Sequence, residues 1–282
     1  MAESGMTGRL AALHVYPVKA CRGLRLERAE LGALGLLHDR RWMIADAESG
    51  KFLTQRVHPE LATVLPALSP DHLALALPDG TALALPLDDR GTPRQVEVWG
   101  DRVDAVEPDP GASAAIGRWL GRAVVLVRFP DAAERPCDPD CAPAGSRTGF
   151  ADGFPLLVTT AGSLEALNNA IERRGGGAVP MSRFRPNLVV EGVAAGAEDR
   201  ARSLELEAGP VLDLVKRCER CAVTTVDQAT GRKTGKEPLA SLALGRTDKA
   251  TGGVWFGQNA VPRFAAGATA VLEVGAACRF VG

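Results

Sequence analysis

The sequence predicts a mixed α/β, strand-rich fold with barrel-like sheets and few helices. Short segments of strand character outnumber helical patterns, about eleven to thirteen against two or three. Turn signals separate the strands, most plainly Pro78-Asp79-Gly80 and Gly100-Asp101. A Pro- and Gly-bearing stretch at 131–149 lacks any periodicity and reads as a connection. It divides an N-terminal, barrel-like part at 8–130 from a larger C-terminal part at 131–282.

In chain order, Arg9–Val18 alternates loosely and ends at Tyr16-Pro17, and Leu24–Leu31 alternates apolar and charged residues, so both are read as strands. Arg41–Asp46 is a short apolar run, and Ala47–Lys51 a turn leading into Phe52-Leu53-Thr54. Leu73–Leu77 with Thr81–Leu87, and Gln95–Trp99 with Arg102–Val106, form two hairpins. A helix starts at Asp109-Pro110, where Asp suits the cap and Pro the first turn, and stops at Gly121. Ala123–Phe129 is a buried strand. After the connection come a strand at Leu156–Thr160 and a helix capped by Ser163 and stopped at Gly175-Gly176-Gly177. Strands are expected at Leu188–Val193, Ser203–Leu206, Val211–Val215, Ala222–Val226, Val254–Phe256 and Ala270–Val274, with a short helix after Pro238.

Composition excludes several classes. The 282 residues, 46% hydrophobic and 24% charged, support a sizeable core. A net charge of −1 gives no reason to expect nucleic acid or an anionic membrane as partner. No apolar run reaches the roughly 18 residues that a membrane span needs. The N-terminus has no export signal, so a reducing cytoplasm is the expected location. The six cysteines, Cys21, Cys137, Cys141, Cys218, Cys221 and Cys278, then suggest metal or redox chemistry ahead of disulfides, with most of them simply buried.

The chemical centre is read at Lys216–Gly231. Cys218 and Cys221 sit among Lys216, Arg217 and Arg220, cations that favour a thiolate over a thiol. Three readings stay open on these residues. A thioredoxin-like pair conflicts with the strand-forming Ala222–Val226. Half of a zinc site would need Cys137 and Cys141 as partners. A single thiolate could ligate a larger metal cofactor, with cations nearby to hold its anionic groups. Three further cationic groups lie at strand ends: Lys19 within Tyr16–Gly23, Arg40 and Arg41 beside Trp42, and Arg183 with Arg185 before Asn187. Together they suggest one shared anionic ligand. The four histidines all fall within the first 72 residues, away from Cys221, and no nucleotide-binding glycine motif is present.

YPVKACRG at Tyr16, DRRW at Asp39, ADGFP at Ala151, FRPN at Phe184, RCAVTTVD at Arg220, KEPL at Lys236 and FGQN at Phe256 together resemble the MOSC-domain proteins, most of all the amidoxime-reducing type. The resemblance implies an N-terminal MOSC β-barrel domain at 8–130 and a MOSC β-barrel with a few helices at 131–282. It implies a molybdenum cofactor (Mo-molybdopterin) ligated by Cys221. Lys19, Arg40 and Arg185 match positions that hold the pterin or its phosphate, and Asp152, Gly153, Asn187, Glu219 and Arg220 match positions near it. Ala20 replaces a frequent serine, and Glu219 replaces a small polar residue. The implied activity is reduction of N-hydroxylated or N-oxide small molecules to amines or amidines. Electrons would come from a separate ferredoxin, flavoprotein or cytochrome. The alternative within the same resemblance is a sulfur carrier or cofactor-handling protein with a persulfide on Cys221.

Overall fold

A closed seven-stranded β-barrel holds the fold together in the computed structural model, which describes residues 5–207, 209–265 and 267–282. Around the ring run Leu188–Glu191, Leu156–Thr160, Val254–Arg263, Val211–Arg220, Ser203–Leu206, Ala277–Val281 and Met6–Val15, which pairs back onto Leu188–Glu191. Neighbours are antiparallel except Leu156–Thr160 and Leu188–Glu191. That parallel pair needs a crossover, and the helix Ala161–Arg173 lies within it. Closure leaves no open edge in the ring. Its interior is filled by Leu10, Leu13, Val158, Leu188, Leu204, Leu212 and Phe280, all almost fully buried.

The N-terminal half adds a four-stranded sheet, Trp42–Asp46, Val124–Arg128, Asp101–Glu107 and Thr92–Val98, and a three-stranded meander, Leu65–Leu68, His72–Ala76 and Ala82–Pro86. The helix Pro110–Leu120 packs with both around Trp42, Leu73, Leu85, Ile116 and Leu126. Two strands from before residue 131 pair with strands from after it. Met6–Val15 lies between Ala277–Val281 and Leu188–Glu191, and Arg28–Gly32 pairs with Ala270–Glu273. The chain is strand-rich, with four α-helices among the described residues.

Both expected hairpins form, with Ala76 opposite Ala82 and Val98 opposite Asp101. Asp109 caps the first helix by accepting the Gly111 N–H at 2.7 Å, and Gly121 ends it at φ 66°. Several expectations need correction: Leu24–Leu31 breaks at Glu27 into Leu24–Leu26 and Arg28–Gly32, which pair with different strands, and Val254–Phe256 runs on to Arg263. The second helix is capped by Thr160, whose hydroxyl accepts the Ser163 N–H at 3.1 Å, so Ser163 lies inside the first turn. Val211–Val215 is the first half of a strand that runs to Arg220, past irregularities between Leu214 and Lys216 and between Arg217 and Glu219. The charged run hid its second half. Ala222–Val226 is not a strand: Ala222–Thr225 is a 3₁₀ turn. The Thr224 and Thr225 hydroxyls donate to the carbonyls of Cys221 and Ala222 at 2.9 and 2.7 Å. Such local bonds override β propensity.

Candidate functional site

Segments from both halves of the chain meet at one cleft that opens to solvent. Lys19 and Ala20 follow the Met6–Val15 strand, and Arg40 precedes the Trp42–Asp46 strand. Asp152 and Gly153 lie in the turn before Leu156–Thr160. Arg185 and Asn187 lead into Leu188–Glu191, and Glu219, Arg220 and Cys221 close the Val211–Arg220 strand. All ten residues that the resemblance assigns to the site line this cleft, whereas Arg41 and Arg183, read with them as cations at strand ends, do not and pair instead with Asp131 and Asp227.

The inner wall is built around Tyr16. Its buried ring has the Arg40 guanidinium 4.2 Å and the Arg185 guanidinium 4.3 Å from its centre. Burial pushes the Tyr16 phenol up to about 12, and its O–H donates to the Pro186 carbonyl at 3.1 Å. Arg40 pairs with buried Asp39 and donates to the Asn187 side-chain oxygen and the Arg185 carbonyl, each at 3.1 Å. Asn187 is used internally: its amide donates to the His14 carbonyl, and its oxygen also accepts from Leu157. It therefore positions Arg40. Arg185 donates to Gln228, which exchanges hydrogen bonds with Gln55, and Gln55 reaches the Ala20 carbonyl. Burial pulls the Arg185 guanidinium down to about 10, which leaves it cationic at neutral pH.

Lys19 is buried and bonds to the Phe150 carbonyl at 2.7 Å and to Asp152. Burial lowers its ammonium from the usual value, against the opposing pull of Asp152. The Asp152 turn is clamped by Arg135, which donates to the carbonyls of Gly149, Ala151 and Asp152 and pairs with Asp101. A Cβ on Gly153 would meet nothing within 4 Å, so this glycine leaves free space.

The charge balance of the wall is positive. Lys19, Arg40, Arg56, Arg185 and Arg220 face only two carboxylates, Asp152 and Glu219. Asp152 is taken by Lys19, and Glu219 accepts the Thr251 hydroxyl at 2.9 Å. Among the described residues, Arg56, Arg185 and Arg220 have no carboxylate within ion-pair distance, and the Arg220 Nε is buried without a partner. A buried guanidinium without a counter-charge is costly, and a bound anion would relieve that cost. Backbone strain gathers here as well. Of the five described non-glycine residues with positive φ, four line the cleft: Ala20 at 68°, Arg40 at 48°, Trp99 at 54° and Arg185 at 55°.

The cysteines differ from the sequence expectation in their partners. Lys216 pairs with Asp138 at 3.1 Å and Arg217 stacks on Trp255, so neither serves Cys218 or Cys221. Arg220 approaches Cys218, Nη1 to Sγ 2.8 Å. The cation beside Cys221 is Arg56, Nε to Sγ 3.3 Å, from the N-terminal half. Cys137 is buried against Ala142, Phe154 and Val261, and the Cys141 thiol donates to Asp138 at 3.5 Å. Among the described residues, no three His, Cys, Asp or Glu side chains gather as a metal site, so the zinc reading finds no ligand set. Sequence reasoning missed Arg56, Trp99, Gln55, Gln228 and Arg135. Thr54-Gln55-Arg56 lies outside any apolar pattern, and Trp99 reads as the end of a hairpin arm. The cationic Arg next to a polar amide was the one available signal.

A strand-built barrel with a cation-rich cleft around two partly exposed cysteines, Cys218 and Cys221, defines the class. Two family models match the chain: "MOSC N-terminal beta barrel domain" over residues 7–125 and "MOSC domain" over residues 145–278. The chain belongs to the MOSC-domain proteins. It is 34% identical over 256 residues to the mitochondrial amidoxime-reducing component 1 of Mus musculus, across 83% of this chain and 70% of that protein. The Homo sapiens protein of that name is 33% identical over 250 residues, across 83% of this chain and 71% of its own length. A molybdenum cofactor sulfurase of Danio rerio is 30% identical over 278 residues, across 90% of this chain and 32% of that protein. No helix among the described residues is long and apolar enough to cross a membrane.

Proposed function

We propose that this protein is a molybdenum-cofactor oxidoreductase that reduces N-hydroxylated or N-oxide compounds to amines or amidines. The observation that carries the reading is the partly exposed Cys221 sulfur in a cleft where five cations converge on two carboxylates that are already engaged. Cys221 would be the protein ligand to the metal. Lys19, Arg40 and Arg185 would hold the pterin and its phosphate. Arg185 suits this because it is buried without a carboxylate partner among the described residues. Ala20, Asp152, Gly153, Asn187, Glu219 and Arg220 would border the cofactor. Asn187 fixes the Arg40 fork, and Gly153 leaves room. When bound, the cofactor supplies a metal that accepts an oxygen atom from the substrate, with two electrons and two protons consumed and water released. The protein's part is to bind, orient and neutralise. Electrons would come from a separate ferredoxin, flavoprotein or cytochrome.

The test is metal and pterin content in protein made by a host that synthesises the cofactor. About one molybdenum per chain is expected, and Cys221→Ala should lose it. Molybdenum at the wild-type level in that variant overturns the ligand assignment. The likeness to the sulfurase favours a second reading, a persulfide on Cys221. That reading predicts a native mass heavier by one sulfur atom and no molybdenum.

A further inference from the structure

Arg56 is the exposed cation of the cleft. Its Nε lies 3.3 Å from the Cys221 sulfur, and its guanidinium is 4.7 Å from the centre of the Trp99 ring. It has no carboxylate within ion-pair distance among the described residues, while Lys19, Arg40 and Arg185 are held in the inner wall by their own partners. Trp99 is 48% exposed, although its backbone is held at a positive φ. Its indole N–H donates to Asp152 at 3.1 Å, and Phe52 meets its ring edge-on at 5.0 Å. Asp152, the one carboxylate at this edge, is engaged by Lys19. The Arg56 backbone is pinned by the Lys233 ammonium at 2.9 Å.

The mouth therefore presents a flat aromatic wall and, beside the Cys221 sulfur, an exposed fork without a carboxylate partner among the described residues. Aromatic faces bind planar groups, and a guanidinium fork binds carboxylates in two-point fashion. We propose that Arg56 and Trp99 form the substrate-recognition edge of the cleft and select planar N-hydroxylated molecules that carry a carboxylate. This rests on the reductase reading. Trp99 stacks on the planar body, Arg56 takes the anionic group, and the Arg56–Trp99 stack keeps the fork oriented before binding.

The experiment measures the affinity of two probes, benzamidoxime and 4-carboxybenzamidoxime, by calorimetry on purified protein of known molybdenum content. Turnover of each probe is followed in parallel with reduced methyl viologen supplying the two electrons. Wild type should bind the carboxylated probe about tenfold more tightly. Arg56→Gln should bring the two probes within about twofold of each other, Arg56→Lys should fall between, and Trp99→Ala should weaken both by a similar factor. Arg56 is exposed, so its variants should keep the wild-type urea midpoint, and that midpoint is the folding control. Equal affinities in wild type, or a preference that survives in Arg56→Gln, overturns the recognition edge. Reduction of both probes without preference sinks this proposal alone. An Arg56-dependent preference without reduction of either probe sinks the reductase reading and keeps the edge.

Discussion

Arg185 is where residue chemistry speaks most directly. A buried guanidinium with an amide and an aromatic ring for company is a site prepared for an anion. Inorganic phosphate should therefore raise the melting temperature of cofactor-free wild type, since a ligand bound only to the folded state adds about 2.7 kcal/mol at a hundredfold excess over Kd. Arg185→Gln should abolish that rise. An equal rise in the variant would place the anion elsewhere. The buried thiols set a different dependence. Burial holds Cys21 at about 12 and Cys137 and Cys278 at about 11, against an ordinary value of 9.0. Unfolded thiols ionise first as pH rises, so the unfolded chain binds fewer protons above about pH 9. The stability from these groups is complete below that pH and declines as pH climbs toward 11 to 12. Urea midpoints at about pH 8 and pH 10 should show the decline, and Cys21→Ala should make it shallower. A midpoint unchanged between the two would contradict this.

At the scale of elements, two glycines of the cleft region give opposite expectations. Gly257 sits in the Val254–Arg263 strand at φ 80°, and an added Cβ would lie 2.8 Å from both the Thr159 methyl and the Val158 carbonyl. Gly257→Ala should destabilise by about 1–3 kcal/mol in urea unfolding. Gly153→Val meets no atom within 4 Å of its Cβ. It should leave stability within about 0.5 kcal/mol and lower molybdenum content by filling the cleft. Stability lost at Gly153 without loss of molybdenum would reverse its assignment. Elements with local signals were legible: the Asp109 cap, Gly121 stop and both hairpins follow from neighbouring residues. The Ala222–Thr225 turn was not, because threonine favours strands until its hydroxyl finds a carbonyl three residues back. The second half of Val211–Arg220 was hidden by charged side chains that the barrel's irregular pairing keeps outside.

For the whole molecule, the strand Met6–Val15 carries an unusual weight, because it closes a ring whose other members all come after residue 155. Leu13 is fully buried within that ring. Leu13→Ala should cost about 2–5 kcal/mol and should shift one cooperative transition, seen alike by probes in both halves of the chain. A separate transition of the C-terminal strands would show that the ring stands without its N-terminal member. The sequence by itself determined the strand-rich class, the turns, the family and ten of the residues that line the cleft, because each rests on local spacing or on motifs that survive in linear order. Only the tertiary structure decided that the first strand closes the last barrel, that Arg56 rather than Arg217 stands beside Cys221, and that Trp99 forms the wall of the mouth. Barrel closure, charge pairing and ring stacking are contacts between segments far apart in the chain, and no local pattern encodes which distant partner a side chain will meet.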